Sequence, residues 1–119
     1  MSDDSNVIVV KSKAFALRSI ELFRTLVGER REYVISKQML KSATSIGANV
    51  KEAIRGQSMA DFGAKMNIAL KEASETEYWL ELLQDAGYIT PQQGTSFLVD
   101  CRELIKILTA IVKTTFDGK

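Results

Sequence analysis

The sequence predicts an all-α protein, an antiparallel four-helix bundle with up-down-up-down order. Apolar residues recur at alternating spacings of three and four over four long segments, and the single proline and several of the seven glycines mark the segment ends. Apart from VIVV near the start, strand signals are nearly absent. Short connections between the segments favour antiparallel neighbours. With 119 residues, the chain is expected to form one domain over 1–119 that buries a core without disulfides or metal.

The first helix is predicted over 7–27 and ends at Gly28, before the charged stretch ERRE. Its apolar residues fall on three stripes. Two neighbouring stripes are expected to face the core: Ala16, Ile20, Phe23 and Val27, and beside them Val10, Ala14 and Leu17. The further stripe consists of Phe15, Leu22 and Leu26. A helix that faces a single core does not need this many apolar stripes.

The second helix is predicted over 36–55, with Gly56 just past its end. The third is predicted over 58–86, where Ser58 and Asp61 form a capping-box pattern at the start and a glycine again follows the end. The seams of both helices, meaning the lines of apolar residues expected to face the core, step by three and four along the chain.

The fourth helix is predicted over 91–115. Three residues mark its start: Thr90 as the N-cap, Pro91 at the first helical position, and Gln93 as the glutamine that completes a capping box. Its apolar residues cover about half of the circumference, whereas a helix facing one core needs an arc of somewhat more than about 100°. Two explanations stay open: deep packing among three helices, or contact with another copy. We favour self-association, through these candidate residues: Phe97, Leu104, Ile107 and Ile111, with Phe15 and Leu22 of the first helix.

Charge is balanced over the whole chain, with 16 basic and 15 acidic residues, but it is sorted between helices. Between 36 and 57 the basic residues Lys37, Lys41, Lys51 and Arg55 are opposed by Glu52 alone, whereas acids dominate between 58 and 89. One interpretation is attraction between neighbouring helix flanks, which is weak for exposed pairs. The rival interpretation makes the four basic residues a phosphate-facing ridge.

A polar line runs beside the seam of the second helix, within TSIGANVKEA. Our hypothesis is a polar lock, either in the interior or at an interface, because buried polar groups must be hydrogen-bonded and then fix one packing register. Its members are Ser45, Asn49 and Glu52 of the second helix and Ser74 and Glu77 of the third. Because Gly47 lies in a helix interior, it destabilises the helix by about 1 kcal/mol relative to alanine. It is explained most easily if another backbone, or the ring of Trp79, approaches it.

The residues needed for several kinds of chemistry are missing from the sequence. With no histidine and a single cysteine, Cys101, in an apolar run, a histidine-dependent catalytic dyad or triad is ruled out and a metal or haem site is not expected. No glycine-rich phosphate loop occurs. We therefore expect no enzyme, cofactor or small-molecule substrate. No signal peptide or uncharged window of about 18 residues is visible, so we expect a cytoplasmic protein without a membrane partner.

Three stretches carry a resemblance to a known family: FALRSIELF, YVISKQMLKSATSIGANVKEA and KMNIALKEASETEYWLELL. From about Asn6 to Ile111 the chain resembles the bacterial 23S ribosomal RNA intervening-sequence proteins. The family signature Ser-Ile-Pro-x-Asn-Ile-x-Glu-Gly is matched at Ser45, Ile46, Asn49 and Glu52, while Gly47 replaces the proline and Ala53 the final glycine. Ser74 and Glu77 match the family's third helix.

The resemblance implies a four-helix bundle that assembles as a ring, most often a homopentamer, with no established catalytic activity. It leaves association with RNA open. A related branch, the accessory proteins of diversity-generating retroelements, is basic and works with nucleic acid, whereas this chain is nearly neutral. We therefore expect a non-enzymatic oligomeric scaffold. The alternatives are an adaptor that captures a partner's helix and a nucleic-acid-binding accessory protein.

Overall fold

The computed structural model describes residues 6–117 and shows an all-α chain of four helices, with no strand in that range. The helices are α1 (Val7–Gly28), α2 (Ile35–Ile54), α3 (Met59–Asp85) and α4 (Pro91–Asp117). Each predicted helix end lies within two residues of the observed one. None of these helices is both long and apolar enough to cross a membrane.

Consecutive helices pack against one another, and all four contribute to one buried apolar cluster, as in a helix bundle. Two side-chain contacts join α2 and α3. The hydroxyls of Ser42 and Thr76 are 2.7 Å apart, and Glu52 lies 2.9 Å from Lys65. Between α3 and α4, the thiol of Cys101 donates to the carbonyl of Ala73 at 3.3 Å.

Local hydrogen bonds explain where α3 and α4 begin. The backbone N–H of Asp61 donates to Ser58 Oγ at 3.0 Å, so Ser58 caps α3 as its position predicts. At the start of α4, the N–H of Gln93 donates to Thr90 Oγ1 at 3.1 Å and the N–H of Thr90 donates to Gln93 Oε1 at 2.9 Å. The predicted capping box is therefore present in reciprocal form.

The end of α3 is closed by Gly87, which takes a left-handed conformation with φ of 83°. This turn lets the N–H of Gly87 donate to the carbonyl of Gln84 at 3.0 Å and the N–H of Tyr88 donate to that of Leu83 at 2.9 Å. The pair of bonds is the Schellman motif. Glycine adopts its backbone angle without the steric cost that a Cβ would add.

The start of α2 uses a cap that the sequence rules do not anticipate. Glu32 is only 7% exposed, and its carboxylate accepts from the backbone N–H groups of Val34 and Ile35 at 3.0 Å and of Ser36 at 2.6 Å. Arg31, just before it, takes a left-handed conformation with φ of 55°, which is uncommon outside glycine. Burial by itself raises the pKa of Glu32, but the amide hydrogen bonds outweigh burial and hold that pKa below its usual value.

The predicted core face of α1 is wrong. Val10, Ala14 and Leu17 are exposed, and the stripe of Ala16, Ile20, Phe23 and Val27 is only half-buried. The buried residues of α1 are Ile8, Ser12, Phe15, Ser19, Leu22 and Leu26. This buried line contains the further stripe that the sequence showed, and two serines interrupt it. They can be buried because Ser12 Oγ donates to the carbonyl of Val9 at 3.3 Å and Ser19 Oγ to that of Phe15 at 2.9 Å.

Most of the predicted self-association residues are also placed differently. Four of them are at most 8% exposed within a single chain, and they belong to its core: Phe15, Leu22, Phe97 and Leu104. Ile107 and Ile111 are half-buried against the same core. The wide apolar arc of α4 is therefore explained mainly by deep packing, because α4 contacts both α3 and α1. These four side chains are not available for a contact with another copy.

We predict that Glu32→Gln lowers the free energy of unfolding at pH 7 by about 1–2 kcal/mol, because an amide replaces a carboxylate that three backbone donors need. Since the pKa of Glu32 is lowered in the folded state, its contribution is complete above the unfolded pKa of about 4.3 and is lost as pH falls through the folded pKa. Denaturant unfolding of both proteins between pH 7 and pH 2.5 measures this. The exposed Glu29→Gln variant is the control. A difference between wild type and Glu32→Gln that does not shrink at low pH would contradict the role of the charge.

Candidate interaction surfaces

The one cysteine of the chain is a buried structural residue in this fold. Cys101 is fully buried, and burial, reinforced by the nearby Glu77 carboxylate, raises the pKa of its thiol to about 12. A thiol with this pKa is not a nucleophile at neutral pH. Within residues 6–117 no group of three or more His, Cys, Asp or Glu side chains is arranged to hold a metal ion. The features that stand out are surfaces.

The outward side of α1 carries exposed apolar side chains. Val7, Val10 and Leu17 are 51%, 59% and 57% exposed, and with the exposed Ala14 they follow the three-four spacing of one helix face. We call these four residues the outer α1 stripe. The sequence already assigned Val10, Ala14 and Leu17 to one stripe, but only the structure shows that this stripe faces away from the core.

A groove of about 310 Å³ lies between α1 and α2. Two lysines line it, one from each helix: Lys13 and Lys51. The other lining residues are small or β-branched, namely Val9, Ser12, Ala16, Thr44, Gly47, Ala48 and Val50. We call this feature the α1–α2 groove.

Gly47 lies in the α1–α2 groove where the backbone of α1 passes close to α2. A Cβ at Gly47 would be 3.4 Å from Ser12 Oγ and 3.6 Å from the carbonyl oxygen of Ser12. Another backbone does approach the glycine, as one of the two sequence explanations proposed. Trp79 is not among the atoms nearest to it; instead, the indole N–H of Trp79 donates to the carboxylate of Glu75 at 3.1 Å.

The four basic residues of α2 form an exposed ridge. Lys37, Lys41, Lys51 and Arg55 are all exposed, and among residues 6–117 none of them lies within ion-pair distance of a carboxylate. We call them the basic ridge. Two of them, Lys51 and Arg55, also line a shallow cleft together with Lys65.

The acidic residues of α3 do not neutralise the basic ridge by ion pairs. The carboxylates of Glu77 and Glu81 lie 2.7 and 3.2 Å from Arg102 of α4. The ion pair between α2 and α3 has the opposite polarity to the expected one, because Glu52 of α2 supplies the acid and Lys65 of α3 the base. Among residues 6–117 the ridge therefore forms no ion pair with α3, but Lys41 is close enough to Glu72 of α3 to oppose the rise in that carboxyl's pKa that burial causes.

The five residues of the predicted polar lock do not form a network within one chain. Ser45 Oγ donates to the carbonyl of Lys41 at 2.7 Å, and Asn49 Nδ2 donates to the carbonyl of Ser45 at 2.8 Å. Glu52 and Glu77 have separate ion-pair partners, and Ser74 is exposed. Serine and asparagine in a helix can satisfy themselves on the carbonyl four residues back, so no partner helix is needed. The interior form of the lock is wrong, and the interfacial form stays a prediction.

The buried polar contact of the core lies on the seams themselves. Ser42 of α2 and Thr76 of α3 are at most 1% exposed, and their hydroxyls are 2.7 Å apart. Each hydroxyl also lies within hydrogen-bonding distance of a carbonyl on its own helix. The sequence signal was available, since both residues fall on the three-four spacing of the apolar seams.

The fold and its surfaces define a class: an all-α chain of four packed helices whose distinctive features are exposed apolar and basic surfaces. The model of the 23S rRNA-intervening sequence protein family matches residues 4–110. The chain belongs to this family. It is also similar to a protein of unknown function from the S23 ribosomal protein family of Bacteroides thetaiotaomicron, known from a crystal structure. That chain is 55% identical, with a TM-score of 0.90 over 92% of this chain and 97% of the other. No curated protein matches the sequence.

The interfacial form of the polar lock leads to a prediction for Asn49→Leu. The half-buried Asn49 side chain bonds only to its own helix, so we expect the substitution to change the stability of the single chain by less than about 1 kcal/mol. If Asn49 lies at an interface between copies, the molar mass measured by light scattering will change as well. If the variant has the molar mass and the melting curve of the wild type, the hypothesis of an interfacial polar lock is wrong.

Proposed function

We propose that this protein is a non-enzymatic scaffold that assembles with copies of itself into a ring, through the outer α1 stripe. One observation carries this function: Val7, Val10 and Leu17 are each more than half exposed on one face of a long helix. Contiguous apolar surface of this kind commonly marks an interaction site. The homopentameric ring is the assembly that the family resemblance implies. We place the protein in the cytoplasm, and the buried Cys101 thiol supports a role without catalysis.

We further propose that the helices run antiparallel in up-down-up-down order. The contacts between α2 and α3 support this order, because Ser42 meets Thr76 while the later Glu52 meets the earlier Lys65. The same reversal occurs between α1 and α4. Lys11 lies 3.0 Å from Glu103, whereas the later Arg18 reaches back to Asp100. Under this order the outer α1 stripe is parallel to the long axis of the bundle.

Covering the outer α1 stripe contributes usefully to the free energy of assembly. Burying a whole valine or leucine side chain stabilises by about 1.5–3 kcal/mol. Val7, Val10 and Leu17 are each about half exposed, so covering them contributes about 1 kcal/mol per side chain. In a ring each copy makes two contacts, one through each of two different surfaces. The gain therefore recurs at every interface of a closed ring.

The outer α1 stripe also fits a second function, that of an adaptor which captures an amphipathic helix of another protein. The exposed valines and leucine lie at helical spacing, which is the surface that such a helix packs against. The two functions differ in the state of the purified protein. A scaffold forms a discrete oligomer by itself, whereas an adaptor stays monomeric until its partner is added.

We predict that the double variant Val10→Lys with Leu17→Lys converts the oligomer into a monomer of about 13.2 kDa. Two ammonium groups cannot be buried unpaired in an apolar contact, and both sites are exposed in the single chain, so the helices remain folded. Size-exclusion chromatography with light scattering measures the mass, and circular dichroism checks the fold.

The control is Val99→Lys, which places a lysine at a valine that is 61% exposed on α4. We expect it to keep the wild-type mass. Wild-type protein that is already monomeric at micromolar concentration would contradict the scaffold. Dissociation by Val99→Lys but not by the α1 variant would place the interface on α4 instead.

A further inference from the structure

We propose that the α1–α2 groove and the basic ridge together bind the phosphate backbone of a nucleic acid. The surface lies beside the outer α1 stripe but shares no residue with it, so this inference goes beyond self-assembly and does not depend on it. The sequence had placed the four ridge residues on one helix. The structure adds a fifth cation from another helix, Lys13, and a groove next to it.

The α1–α2 groove is cationic and contains no acid. Lys13 and Lys51 are both exposed and line the groove from opposite helices, and none of the described lining residues is a carboxylate. Neither ammonium group lies within ion-pair distance of a carboxylate among residues 6–117. Both lysines can therefore contact an anion without breaking an internal ion pair.

The small residues of the groove allow a ligand to come close to the helix backbones. Gly47, Ala48 and Ala16 have side chains no larger than a methyl group, and all three line the groove. A phosphodiester chain lying there shares the groove with both lysines. Larger side chains at these positions would fill the space between the two helices.

The cations extend too far for a small anion. Lys37 and Arg55 are 18 positions apart on α2, which corresponds to about 27 Å along a straight helix. Lys13 lines the same groove as Gly47 and Ala48, two residues of the stretch between Lys41 and Lys51 that contains no basic residue of α2. A nucleic acid duplex presents a phosphate about every 3.4 Å along each strand, so a long row of cations matches many phosphates of one molecule.

The nature of the groove favours a nucleic acid over an acidic protein. Binding sites for proteins usually contain aromatic or arginine anchors in well-packed pockets, and neither kind of side chain is among the described residues that line this groove. Arg55 lies on the exposed ridge instead. Without an aromatic side chain among those lining residues, bases cannot stack there. The contacts available are charge contacts with phosphates, which position a nucleic acid without reading its sequence.

Three carboxylates lie near the ridge and limit where phosphates can bind. Glu72 of α3 is close enough to Lys41 to interact with it electrostatically, and two more lie near the end of the ridge. Glu52 and Asp61 line the shallow cleft that contains Arg55. Glu52 is already paired with Lys65 at 2.9 Å. We therefore expect the strongest phosphate contacts at Lys13 and Lys51, in the acid-free groove.

The test compares two triple variants with the same change in charge. The groove variant carries Lys13→Gln, Lys51→Gln and Arg55→Gln. The control carries Lys71→Gln, Lys106→Gln and Lys113→Gln, three exposed lysines of α3 and α4. Fluorescence anisotropy measures binding of a labelled 20-nucleotide single-stranded RNA and a 20-base-pair RNA duplex from about 50 to 200 mM salt. Light scattering on each variant separates a loss of binding from a loss of assembly.

We expect wild type and control to bind with an affinity that falls steeply with salt, and the groove variant to bind at least tenfold more weakly at the lowest salt. Each lost phosphate contact should reduce the slope of log K against log salt by about 0.7 for single strands and about 0.9 for duplexes. Undetectable binding at low salt, or equal weakening by both variants, would overturn the proposal. Competition by polyglutamate as strong as by unlabelled RNA of equal charge would instead indicate an acidic protein partner.

Discussion

The orientation of α1 depends on apolar packing against the shared core, mainly on α2 and also on α4. Phe15 and Leu22 belong to the same buried cluster as Phe97 and Leu104, and Arg18 reinforces the contact by reaching Asp100 at 2.5 Å and lying 4.0 Å over the ring of Phe97. The ion pair is well exposed on both sides, so it contributes less than about 1 kcal/mol, whereas each buried side chain contributes about 1.5–3 kcal/mol. Burial therefore sets the rotation of α1, and that rotation places the outer α1 stripe in solvent and Lys13 beside the groove.

The helix ends could be predicted from the sequence because their causes are local. Ser58 and the pair of Thr90 and Gln93 lie within three residues of the groups that they cap, and Gly87 acts within its own turn. The cap of α2 follows no such rule. Glu32 comes before the usual capping position and works because the chain turns sharply at Arg31, a conformation that the sequence does not indicate.

The faces of the helices were harder to predict, because the partner of a polar side chain depends on tertiary packing. Ser12 and Ser19 look like surface residues but are buried, since each bonds to its own helix. Asn49 looks like part of an interior network but is likewise satisfied locally. Conversely, the basic ridge could be predicted because lysines at helical spacing stay in water, while the addition of Lys13 needed the packing of α1 on α2.

Hydroxyl-radical footprinting of the wild-type protein at increasing concentration tests most directly whether copies cover the outward side of α1. We expect Val10 and Leu17 to be oxidised in dilute solution and to become protected as the protein assembles, while Phe15 and Leu22 stay protected at every concentration. If Val10 and Leu17 react equally at all concentrations, copies do not cover this face. If Phe15 is the reactive residue and Val10 the shielded one, the rotation of α1 itself is different.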